Sequence, residues 1–205
     1  MNRRKFLTGI GSCILTNILV PDGANARLLC RPPSSSALHE CQVGIHSPIA
    51  ETTARRVGGQ HLSQWCWAAC IEMIFRYYGF NMPQEEIVRE TWGSIVNLPA
   101  WHTQILADLN RQWIDRNGRV FRASGDSYSA KPATAAQDLA QDRPLIISSL
   151  GHATVLTALH YLRNASGDGH VTAAIVRDPW PGRGRRILSA QEWLKADMLV
   201  RIRVS

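Results

Sequence analysis

The chain has 205 residues, 45% hydrophobic and 19% charged, which suits one globular domain with a real core and excludes disorder and a coiled coil. Its formal charge is +7, and the first 26 residues hold two of those charges through Arg3, Arg4, Lys5 and Asp22. The only dense basic cluster, "GRGRR" at 182–186, has no interleaved aromatics and no nucleic-acid motif around it, so nucleic acid is not an expected partner.

Residues 1–26 read as an address. Arg3 and Arg4 precede Phe6 and Leu7, an apolar stretch runs to Val20, and small residues follow at Ala24 and Ala26. This resembles a twin-arginine export signal, cleaved after Ala26, and implies a periplasmic or secreted protein. Thr8, Gly9, Gly11, Ser12 and Asn17 interrupt the apolar stretch. It is also shorter than the roughly 20 residues a membrane span needs, so no stable span is expected after cleavage. Residues 27–59 are rich in Pro, Ser and Gly and read as an irregular N-terminal arm. Cys30 and Cys41 bracket "RPPSSS" within it, and export would permit a disulfide between them.

From Trp65 the apolar residues Trp67, Ala68, Ile71, Ile74, Phe75 and Tyr78 recur at three and four residues, and Gly79 ends the run. This is the strongest helix in the chain. Pro83 opens a short helix through Val88, Pro99 a third through about Trp113, and a fourth covers Ala133 to Ala140. After Pro144, "PLIISSL", "HATVLTALHYL", "HVTAAIVRD" and "MLVRIRV" read as strands. Helices first and an antiparallel sheet second predict an α+β domain, residues 60–205, with the long helix packed on the sheet.

Cys66 and Cys70 lie on the long helix, four residues apart, a spacing that suits a disulfide poorly. Each could be a buried apolar residue. Cys66, however, opens the helix, where main-chain amides stabilise a thiolate, whereas Cys70 is a full turn inside. Trp65 and Trp67 would cover the thiol, line a cleft or simply pack. A zinc site is not expected, because no second Cys or His pair stands at ligand spacing.

A nucleophilic thiol needs an imidazole. His39, His46 and His61 lie in or near the arm and His102 on a polar helix face, which leaves His152, His160 and His170. His152 follows Gly151 at a strand start, where a ring can face a cleft. Asp178, ahead of Pro179, ends the next strand and could orient that ring. Pairing the two strands with indices summing to 330 sets Asp178 opposite His152 and His170 opposite His160. Any even sum keeps His152 and Asp178 on one face, because side chains alternate.

Gln60, then Cys66 opening a helix with "CWAA", then "GHA" and "DPW", resembles the papain-like cysteine peptidases, particularly their compact bacterial branch. The resemblance covers about Gln60 to Trp193. It implies a papain-like fold and a peptidase with no cofactor and no metal, in which Gln60 supplies an oxyanion donor, Cys66 is the nucleophile, His152 the base and then acid, and Asp178 the orienter. Gln64 is a rival for the amide donor. The implied partners are a protein or peptide substrate and an inhibitor or immunity protein, and a monomer is expected. The same residues would also serve a peptidoglycan peptide amidase or an acyl transferase, and an inactive fold of this type would be a binding module.

Overall fold

A computed structural model describes residues 28–31, 38–46, 59–166 and 169–205. The expected export signal at 1–26 lies outside the described residues. The apolar run after Trp65 forms α1 (Cys66–Tyr77), buried continuously from Trp67 to Phe75. A helix apolar nearly all round belongs inside, and α1 accordingly forms the centre of the larger core cluster. Tyr78 caps it and Gly79 follows at φ 88°, a left-handed position that carries no penalty for glycine. α2 (Gln84–Trp92) starts behind Pro83 and ends at Gly93, φ 72°.

α3 (His102–Leu109) is shorter than the expected Pro99–Trp113. Asp115 decides this: its carboxylate accepts the main-chain N–H groups of Asn81, Asn117 and Arg119, folding "DRNGR" into a hairpin turn. Trp113 therefore lies on β3 (Gln112–Ile114), paired with β4 (Val120–Tyr128). α4 (Pro132–Ala140) follows, then β5 (Leu145–Ser149), β6 (His152–Arg163), β7 (Gly169–Asp178), β8 (Gly184–Ile187), α5 (Ala190–Leu194) and β9 (Ala196–Val204).

With β1 (Leu29–Arg31) and β2 (His39–Gly44) ahead of α1, the sheet is antiparallel throughout, in the order β1-β2-β6-β5-β9-β4-β3, with β7 also on β6 and β8 on β7. Alternation divides its core. Ile146, Val200 and Ile202 face α1, whereas Leu145, Ile147 and Leu199 pack with Ala135, Ala136 and Leu139 of α4. Among the described residues the fold is thus α+β with five helices, but the sheet is not confined to the C-terminal half. β4 precedes α4 and pairs with β9. Its sequence, "VFRASGDSY", buries only Phe121 and Ala123, too weak an alternation to announce a strand.

The expected irregular arm also contributes. β1 (Leu29–Arg31) and β2 (His39–Gly44) form a hairpin that extends the sheet along β6. Cys30 and Cys41 face each other across it and are disulfide-bonded. Replacing both by serine is expected to lower stability by up to about 3 kcal/mol, read from urea unfolding, and to leave the His152 end of β6 unchanged, because the bond lies on the far half of that strand.

The β6–β7 register differs from the expected one by two residues near His152. Val155 faces Arg177, where the 330 sum would have it face Ile175, and His170 faces Leu162 instead of His160. Irregularities between Leu156 and Ala158 and between His160 and Tyr161 shift the pairing along the hairpin. Near its open end the shift is even, so His152 and Asp178 still share a face. Among the described residues no helix is long and apolar enough to cross a membrane.

Candidate active site

Cys66 is the first residue of α1, behind Trp65, and is partly buried. His152 begins β6 after a tight turn in which Leu150 and Gly151 both take positive φ, 52° and 75°. Asp178 is the last residue of β7 and is buried. The turn and the strand end bring the three side chains together at the start of α1. His152 Nε2 lies 2.8 Å from Asp178 Oδ1, and the ring is also hydrogen-bonded to the Cys66 thiol. His160 and His170 sit further along the hairpin, opposite Ala173 and Leu162 respectively.

Burial pushes the Cys66 thiol up, but hydrogen bonds with His152, the Ala153 amide and the Trp67 amide outweigh it and hold the pKa below the ordinary thiol range. The helix-start amide is therefore one contributor among three, and His152 and Ala153 contribute more. Burial disfavours a charged His152, yet its bonds to Asp178 and Cys66 lift its pKa to about 9. Asp178 pays desolvation too. His152, the Trp180 amide and Arg186 nevertheless keep it well below the usual carboxylate range. All three shifts favour the charged forms, thiolate, imidazolium and carboxylate, in a row. Cys70 differs: full burial, with Cys66 and Asp178 nearby, holds its thiol well above the ordinary range.

The flanking tryptophans have a structural task. Both are buried, and Trp65 Nε1 donates to Val96 O at 2.8 Å while Trp67 Nε1 donates to Leu98 O at 3.2 Å. They fasten the 93–101 loop beside the helix start. Asn97 in that loop accepts the Gln64 N–H and donates to Ser63 Oγ, both at 2.9 Å. Trp180 stands edge-on to His152, with ring centres 6.3 Å apart.

Gln60 is buried, and its N–H donates to Pro179 O at 2.7 Å, which ties it to the segment that follows Asp178. The approach requires Gly59, because a Cβ there would lie 2.8 Å from the same carbonyl. The Gln60 carboxamide donates Nε2 to Leu62 O at 3.0 Å and Ser63 O at 2.9 Å, while Oε1 is buried without a partner. Gln84 fixes both flanks: it donates to Gly59 O at 3.2 Å and accepts the His61 N–H at 3.0 Å. Gln64 is exposed.

Sequence reasoning did not find Gln84 or Arg186, and it held Trp180 only as the last residue of "DPW". Arg186 was visible only as one charge of "GRGRR", since nothing in the chain announces the short strand β8 that carries it to Asp178. Among the described residues no three His, Cys, Asp or Glu side chains converge as a metal site requires. A family model described as papain-like cysteine protease AvrRpt2 matches residues 50–196, which include Gln60, Cys66, His152 and Asp178. A comparison with curated proteins gives no match.

Proposed function

The chain belongs to the family of the papain-like cysteine protease AvrRpt2, and from that premise we propose that Cys66, His152 and Asp178 hydrolyse peptide bonds of a protein substrate through a thioester. The observation that carries this reading is a single imidazole bonded on one side to a thiol of lowered pKa and on the other to a buried carboxylate. The Cys66 thiolate attacks the carbonyl carbon and the C=O electron pair moves to oxygen. Helix-start amides have no intrahelical acceptor, so the Cys66 N–H is free to hold the oxyanion. Gln60 Nε2 would be the second donor by releasing the Leu62 or Ser63 carbonyl, both of which it serves in the free protein. The oxyanion then collapses, the C–N bond breaks, and His152 passes its proton to the leaving amine. Neutral His152 next takes a proton from water, whose oxygen attacks the thioester, and breaking of the C–S bond returns the thiolate.

Alkylation with peptide mapping tests the assignment. At acidic pH, iodoacetamide is expected to modify Cys66 about a hundredfold or more faster than Cys70, because thiolate fraction sets the rate and Cys70 is buried. An epoxide inhibitor of cysteine peptidases should leave its adduct on the same residue. Faster labelling of Cys70 would overturn the assignment.

A further inference from the structure

Asp178 has a second face. Its Oδ2 accepts Arg186 Nε at 2.7 Å, with Arg183 Nη1 at 3.6 Å. Arg186 in turn donates Nη2 and Nη1 to Glu192 Oε1 and Oε2 at 2.6 and 3.1 Å, a two-point fork. Glu192 is itself fixed: Oε2 accepts the Ser189 N–H at 2.8 Å, and its main-chain carbonyl accepts Ser149 Oγ at 2.6 Å. Ser149 is the β5 residue paired with His152. The contacts close a ring from His152 through Asp178, Arg186, Glu192 and Ser149 back to the strand that presents the imidazole.

We infer that Arg186, with Glu192 as its counter-ion, is a positioning residue that orients Asp178 and sets the proton affinity of His152. The inference rests on the assignment of Cys66, His152 and Asp178 proposed above. Once His152 has given its proton to the leaving amine, Asp178 loses its cationic partner on Oδ1. Arg186 keeps the buried carboxylate ionised and in place at that moment, so the neutral ring stays oriented for water. Its charge also opposes the imidazolium, and Glu192 offsets much of that opposition. The charged and titratable groups around this row are Cys66 and Cys70 from α1, Asp178 from β7, Arg183 from the following turn, Arg186 from β8 and Glu192 from α5.

The charge effect has opposite signs for the two partners, which separates it from mere support of the fold. In the full-length protein, the rate of Cys66 alkylation by iodoacetate, an anion drawn to the imidazolium, is expected to fall on the alkaline side as His152 loses its proton. Arg186→Gln should move that limb up by about one pH unit, and Glu192→Gln should move it down, since Arg186 would then be uncovered. Arg186→Lys keeps the charge but loses the fork, so it should restore the limb while peptidase kcat stays about tenfold or more below wild type. If Arg186→Gln does not fold, the downward shift in Glu192→Gln and the restored limb in Arg186→Lys still decide the matter. Limbs that move together, or not at all, in folded variants would overturn the inference. A wild-type protein with no alkaline fall would overturn the Cys66–His152 assignment and, with it, this one.

Discussion

His152→Ala is expected to lower kcat/KM for a peptide substrate about 10⁴-fold, the loss that follows when the general base of such a site is removed. Two effects combine. The tetrahedral intermediate loses its proton donor, and the Cys66 thiol loses the strongest of the bonds that keep its pKa low, so burial pushes it back up. Acid-side alkylation of Cys66 should therefore collapse together with activity. His160→Ala and His170→Ala should retain activity within a few-fold, because those residues pair with Ala173 and Leu162 away from Asp178. Steady-state kinetics on the three variants checks this. Near-wild-type turnover by folded His152→Ala, or a collapse in His170→Ala, would remove His152 from the mechanism.

Asp178→Ala should cost both activity and stability. Activity is expected to fall about 10² to 10⁴-fold, since His152 remains but its orientation and tautomer are no longer held. Removing the carboxylate also leaves the partly buried Arg186 without one partner and the Trp180 amide without its acceptor. Leaving these donors without an acceptor costs about 1–3 kcal/mol, measurable by denaturant unfolding. Loss of activity with unchanged stability would mean that Asp178 is not the anchor of this corner.

The pH dependence of stability carries the same signature. The Asp178 pKa is depressed by folding, so its contribution is present above the unfolded value of about 3.9 and is lost as pH falls through the folded one. The pKa of His152 is raised to about 9, so its contribution is complete below the unfolded value and is lost as pH rises through the folded one. In the wild type the lowered Cys66 pKa works the other way, because the folded protein has already released a proton that the unfolded chain still holds. The two slopes oppose each other. In a Cys66→Ser background the His152 contribution is no longer opposed by Cys66, and stability should decline with rising pH above about 6.5. Adding Asp178→Ala should flatten that decline, and an equally steep decline without Asp178 would contradict its role as the imidazolium's partner.

By itself the sequence determined the long helix, because an apolar repeat at three and four residues is a local property that tertiary packing only reinforces. It likewise determined β5, β6 and β7 from β-branched runs, and it determined that any even register would set His152 and Asp178 on one face, while the tertiary structure decided that the register near His152 is even. The choice of Cys66 over Cys70 was also local, being a matter of distance from the helix start. The tertiary structure alone decided the two-residue shift of β6 on β7, the recruitment of β2 and β4 into the sheet, the tie of Gln60 to Pro179 and the approach of Arg186 to Asp178. Each of those depends on which distant backbone groups satisfy one another. A hydrogen-bonding N–H or C=O is the same group at every residue, so the sequence records where a strand can form but not which neighbour completes it.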